Sequence, residues 1–329
     1  MPKLLTPILL VAFFLNDPAG TTAQQAPQYS LYLLNPYAYN PACAGLENTL
    51  IATGVYRQQW SSLPGAPVSQ HINAHMPLAM LSSGVGLKAE NDVIGAHRTT
   101  QVALSYSFQR ELGSETLLSV GASGGYLQYT LDGSKLRTPD GKYEPAGVFL
   151  HNDPLLPEGN VSASTFVAEV GVHFQWKDLA VGVAALPVFA PVLQSNSGGS
   201  FGIRPERHFI LAASYRITVG RDMTVIPAFL LKSDIVETQT EVSTTVRFRE
   251  NIFAGASYRG MQASQSDAAV LMGGFRLNER TSLAYSFDIP LSSLASTNRG
   301  SHELLLRYDL GKPIGTGKLP PVIYNPRFL

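Results

Sequence analysis

Apolar and polar residues alternate along most of this chain. Between 236 and 249 one face reads Val236, Thr238, Thr240, Val242, Thr244, Val246 and Phe248, and the other reads Glu237, Gln239, Glu241, Ser243, Thr245, Arg247 and Arg249. The same period recurs in Phe166, Ala168, Val170, Val172, Phe174 and Trp176 against Val167, Glu169, Gly171, His173 and Gln175. It recurs again in Leu304, Leu306, Tyr308 and Leu310 against Glu303, Leu305, Arg307 and Asp309. Successive strand side chains point to opposite faces, so a period of two predicts strands. Such runs fall at 49–60, 66–76, 83–91, 97–109, 115–131, 161–176, 178–188, 206–219, 222–232, 235–249, 251–260, 266–277, 280–289 and 300–310. The set is even, about 14 strands, as single-chain bacterial barrels require. Many runs reach ten residues, whereas soluble strands average about five or six and tilted membrane strands need about 9–11. The pattern predicts an all-β protein, a transmembrane antiparallel barrel of outer-membrane type.

The connections sort by length. Every second one is short, at 77–82, 110–114, 177, 220–221, 250 and 278–279, and the longest, 132–160, 189–205 and 290–299, all fall in the alternate set. Outer-membrane barrels have short periplasmic turns and long outer loops, whereas a soluble sandwich has no reason to segregate them. Aromatic residues fit two interfacial girdles. Phe108, Phe174, Trp176, Phe248 and Tyr308 lie near the periplasmic ends of strands, and Trp60, Tyr126, Tyr129, Tyr258 and Phe287 near the outer ends.

Residues 1–23 read as a secretory signal: Lys3, an apolar run from Leu4 to Leu15, a break at Asn16-Asp17-Pro18, and small residues before Gln24. The apolar run is about 12 residues, too short for the roughly 20 that span a bilayer. Residues 24–48 carry Asn35-Pro36, Asn40-Pro41 and Gly45, which is turn chemistry. They are expected to form a periplasmic or plug-like segment before a barrel over 49–310, with a proline-rich periplasmic tail at 311–329.

Composition sharpens this picture. Lys plus Arg equals Asp plus Glu at 24 each, so the basic excess of a nucleic-acid binder is missing and no nucleic-acid partner is expected. Charged residues are 15%, well under the usual proportion of about 25%, which suits a surface facing lipid. The lone Cys43 forms no internal disulfide and cannot by itself build a cysteine-based metal site.

Candidate chemistry is sparse, and no catalytic, cofactor-binding or metal-binding residues are expected. His71 and His75 share a strand face about 13 Å apart, too far to chelate together. Gly121-Ala122-Ser123-Gly124-Gly125 lies inside a strand and opens no helix, so it is read as a place of bending or close packing rather than a phosphate loop. Glu169, Glu237, Glu241 and Asp288, with Arg216, Arg247, Arg249 and Arg307, fall on expected lumen faces. They form either a charge-balanced interior or a solute-selecting one.

The two flanks resemble a known family. Pro27-Gln28-Tyr29-Ser30-Leu31-Tyr32, then Asn35 and Asn40-Pro41-Ala42-Cys43-Ala44-Gly45, resembles the N-terminal motif of PorP/SprF type IX secretion membrane proteins. Trp60 with Gly65-Ala66-Pro67, Ser301-His302-Glu303 and the terminal Asn325-Pro326-Arg327-Phe328 match as well. The chain departs at Cys43, where the family usually has an aromatic. The resemblance implies a non-enzymatic barrel of the secretion and gliding machinery, embedded in outer-membrane lipid. It further implies two kinds of partner: a secreted adhesin-like protein engaged through its C-terminal domain, and periplasmic secretion or peptidoglycan-linked components. Asn40, Pro41, Gly45, Asn325, Pro326, Arg327 and Phe328 are the candidate contacts, with fixing of the chain at the barrel mouth as their alternative role. The competing readings are a porin or transporter with a conducting lumen and, less well supported, a soluble sandwich.

Overall fold

The computed structural model describes residues 27–47, 49–143, 149–153, 156–194, 202–203, 205–249, 251–261 and 265–311. The expected signal at 1–23 and the candidates Asn325, Pro326, Arg327 and Phe328 lie outside these residues. The barrel strands are β1 (Ile51–Gln58), β2 (Val68–Leu78), β3 (Ser83–Ile94), β4 (His97–Gly113), β5 (Thr116–Asp132), β6 (Asn160–Trp176) and β7 (Leu179–Phe189). They continue with β8 (His208–Tyr215, resumed at Ile217–Val219), β9 (Met223–Ser233), β10 (Thr238–Phe248), β11 (Ile252–Met261), β12 (Gln265–Arg276), β13 (Thr281–Pro290) and β14 (Ser301–Asp309).

Each strand pairs antiparallel with its sequence neighbours, and β1 closes on β14 in a register running from Ile51↔Asp309 to Gln58↔His302. The cylinder of 14 strands therefore has no free edge, the condition for burying backbone in hydrocarbon. The run expected at 206–219 is one stave in two pieces. It is interrupted at Arg216, whose N–H donates to Asp178 O at 3.0 Å, so the contact with β7 carries on across the break.

The barrel is inside out relative to a soluble protein. Phe166, Leu104 and Ile72 are 72%, 67% and 67% exposed, whereas Arg57, Arg259, Glu241 and Glu303 are almost fully buried. Along β10, Val242, Val246 and Phe248 face outward while Glu241, Ser243, Thr245 and Arg247 face the lumen. A sheet closed around polar side chains must meet lipid with its apolar face.

Several side chains depart from expectation. Tyr129 is buried, with its hydroxyl 2.6 Å from His97 Nδ1, so it belongs to the lumen side and not to the outer girdle. It stands three positions from Tyr126, and an odd spacing in a strand places two residues on opposite faces. Glu169, Glu241, Asp288, Arg247 and Arg307 are buried as expected, but Glu237 and Arg249 are exposed at strand ends, where Arg249 meets Asp222 at 3.4 Å.

Strands β4, β5 and β6 each run 17 residues. At about 3.3 Å per residue and a tilt of about 40° they rise roughly 43 Å, against an apolar band of about 25 Å. Their outward apolar residues stop at Val102, Tyr126 and Phe166, and beyond them stand Thr100, Gln128, Thr130, Ser162 and Ser164, with Thr130 and Ser162 hydrogen-bonded at 2.9 Å. Above this extension the loop between β5 and β6 forms a small hairpin, Lys142–Tyr143 against Phe149–Leu150. Buried His151 holds it, with Nδ1 3.0 Å from the Tyr143 hydroxyl and Nε2 2.9 Å from Gly133 O.

Candidate functional site

Residues 27–47 run inside the barrel as a strap. Its path is set by three 3-10 turns, Tyr32–Leu34, Pro36–Ala38 and Pro41–Cys43. In two of them an Asn-Pro pair starts the turn, because proline supplies the required φ and needs no N–H partner at the first position. At the third, Asn40 caps the turn by accepting from Ala42 N at 3.0 Å.

One end of the strap is pinned by charge. Ser30 Oγ donates to Asp288 Oδ1 at 2.7 Å and accepts from Arg57 Nη1 and Arg259 Nη2, each at 2.9 Å. The backbone N–H groups of Ser30 and Leu31 donate to Glu303 at 2.7 and 3.1 Å. Around them Arg57 bridges Asp288 and Glu303 at 2.6 and 3.1 Å, and Arg259 bridges Glu241 and Asp288 at 2.7 and 2.8 Å. Four strands, β1, β11, β13 and β14, thus converge on one serine, and β10 joins them through Glu241 on Arg259. Charges this deep are tolerable because each is paired and hydrogen-bonded.

Between its ends the strap fills the lumen. Leu31 and Leu34 pack with Val55, Phe253, Val270, Met272, Ala284 and Leu305. The hydroxyls of Tyr29, Tyr32 and Tyr37 reach Glu90, Ser243 and Ser105 at 2.8, 2.8 and 2.9 Å, and the Tyr39 hydroxyl bonds Tyr32 O. Burial raises all four phenol pKa values, that of Tyr37 to about 12, so these groups stay neutral. Asn73 donates to Asn35 Oδ1 at 2.8 Å and Arg307 to Leu34 O at 3.0 Å. A small cavity remains beside Tyr29, Tyr39, Val55 and His71.

The other end is latched by shape. Asn40 Nδ2 donates to Val172 O at 3.0 Å. Ser119 donates to Ala42 O at 2.6 Å, and Ser107 and Gln109 donate to Ala44 O at 2.7 and 3.1 Å. Gly45, at φ +71°, donates from its N–H to His75 Nδ1 at 3.1 Å. The wall opposite is cut back to glycine. A side chain at Gly121 would overlap the Pro41–Ala42 peptide, at Gly171 or Gly182 the Asn40 amide, at Gly84 the Ala44 carbonyl, and at Gly86 the Tyr37 ring. Cys43 is buried here, Sγ 3.7 Å from His173 Nδ1, and burial, aided by the negative charge of Glu47, pushes its thiol pKa up.

The structure brings Asn40, Pro41 and Gly45 together in this latch. His71 and His75 act separately, His71 with Glu90 at 3.1 Å and His75 with Gly45 and with Glu47 at 3.4 Å. Sequence reasoning missed Ser30, Arg57 and Arg259, and it missed Gly84, Gly86, Gly171 and Gly182. The glycines did carry a signal: each interrupts the lumen-facing series of its strand, as Gly171 does between Glu169 and His173.

A closed, inside-out barrel whose lumen houses its own N-terminal strap is an integral outer-membrane protein. Residues 21–308 match the family described as type IX secretion system membrane protein PorP/SprF, and the chain belongs to that family. Among solved structures it is similar to the Acinetobacter baumannii outer membrane protein Omp33, at 8% identity over 81% of this chain and 100% of that chain, with a TM-score of 0.45. It is also similar to the Ralstonia pickettii toluene transporter TbuX, at 11% identity over 82% and 91% of the two chains, with a TM-score of 0.47. No curated protein sequence matches it.

Proposed function

We propose that this protein is a non-enzymatic accessory and anchor barrel of the type IX secretion machinery. It binds a secreted adhesin-like protein, through that protein's C-terminal domain, at its outer loops. Its periplasmic side, including a tail at 311–329, meets secretion or peptidoglycan-linked components. Membership of the family supports the secretion role. The observation that carries the scaffold reading over the porin alternative is the strap: hydrogen bonds and apolar contacts from Ser30 to Gly45 occupy the lumen that a porin would keep open for solute. The paired segments Lys142–Tyr143 and Phe149–Leu150 on the extended β5–β6 wall, held by His151, supply an outward feature for a partner.

The test is purification of the tagged protein from its own outer membrane in mild detergent. An exported surface protein and periplasmic machinery should co-purify, and deleting 311–329 should leave a heat-modifiable barrel while the periplasmic components and secretion are lost. Purification without any such companion, with secretion normal in a null strain, would overturn the proposal.

A further inference from the structure

We propose that the inner wall of β3–β7 is a shaped receptor for the chain's own Asn40–Gly45 turn, and that this docking seals the barrel against solute. Two independent observations carry it. First, the receptor is built by omission: Gly84, Gly121, Gly171 and Gly182 come from four different strands, and a side chain at any of them would strike the turn. Glycine weakens a strand interior, so four on one lumen patch are explained by the close approach of the turn, its backbone at Gly84 and Gly121 and its Asn40 side chain at Gly171 and Gly182. Second, the receptor is polar where the turn is polar. Ser107, Gln109 and Ser119 meet the carbonyls of Ala42 and Ala44, and the Val172 carbonyl takes the Asn40 amide.

The opposite wall holds Ser30 by charge. The strap therefore crosses the lumen between two anchors of different chemistry, and freeing either opens a path. The motif residues thus hold the chain's own interior, whatever protein the outer loops engage. The secretion role itself is supported by family membership, so loss of the seal is read by conductance and loss of the secretion partners by co-purification, while steady conductance would also return the porin reading.

The test uses the whole protein in planar bilayers, with maleimide labelling of Cys43 as a second readout. The wild type should show no steady conductance, and its folded form should leave Cys43 unlabelled. Gly121→Val should conduct steadily and lose that protection while remaining heat-modifiable. Gly124→Val, on the same strand with nothing within 4 Å of its added carbon, should behave like the wild type. Asn40→Ala leaves the wall intact and serves if Gly121→Val does not assemble; it should conduct intermittently and label slowly. Steady wild-type conductance would overturn the proposal. So would Gly121→Val or Asn40→Ala barrels that stay silent and protected.

Discussion

Ser30 Oγ stands 2.7 Å from Asp288 Oδ1, which joins two residues 258 positions apart in the chain. The hydroxyl also accepts from Arg57 and Arg259, so a single small side chain connects the strap to a buried group of two guanidiniums and three carboxylates. Removing the hydroxyl and removing the carboxylate are different perturbations. Ser30→Ala leaves the ion pairs in place and should lower stability by about 1–3 kcal/mol. Asp288→Asn leaves both arginines short of charge and should lower it by about 3–5 kcal/mol. Urea unfolding in lipid vesicles measures both, and equal effects would contradict this picture of the pin.

Cys43 gives a pH-dependent outcome. Burial raises its pKa above that of a free thiol, about 8.5. The folded barrel then holds the proton where the unfolded chain releases it. This contribution to stability is fully present below about pH 8.5 and is lost as pH rises toward the folded-state value. Iodoacetamide at pH 9 should alkylate heat-denatured protein rapidly and folded protein hardly at all. Comparable rates would show that the thiol is accessible.

The outward face sets a depth-dependent tolerance. Leu104 lies in the middle of the apolar series of β4, and Thr100 lies nearer the outer end. Arginine at 104 should destabilise by about 2–4 kcal/mol and at 100 by about 0–1 kcal/mol, since charge is costly only in hydrocarbon. Folding titrations of the two variants in vesicles check the ordering, and its reversal would misplace the membrane.

His151 gives a local test. Its two ring nitrogens contact Tyr143 and Gly133, and the Thr138 hydroxyl donates to its carbonyl at 2.6 Å. His151→Ala should raise protease nicking between β5 and β6 severalfold while the barrel stays heat-modifiable. Unchanged nicking would mean that the hairpin is held by other contacts.

The alternation of Val242 with Glu241 and Ser243, and of Phe166 with Val167, was enough to place the strands and their two faces. Each side chain's face follows from its parity, which is a local property. The rule is strict: Tyr126 and Tyr129, three positions apart, cannot share a girdle, and the structure puts Tyr129 inside. The short–long order of the connections likewise needed nothing beyond the chain.

Parity names a face but not a partner. That Ser30 meets Arg57 and Arg259, or that Gly121 makes room for Ala42, depends on the register in which β14 closes on β1 and on the path of the strap through the lumen. Closure brings residues hundreds of positions apart into contact, and nothing local to Ser30 or Gly171 encodes which wall they will face. The sequence by itself determined the barrel, its inward and outward faces and the turns of the N-terminal segment. Tertiary structure alone decided that those turns lie inside the cylinder and which residues hold them there.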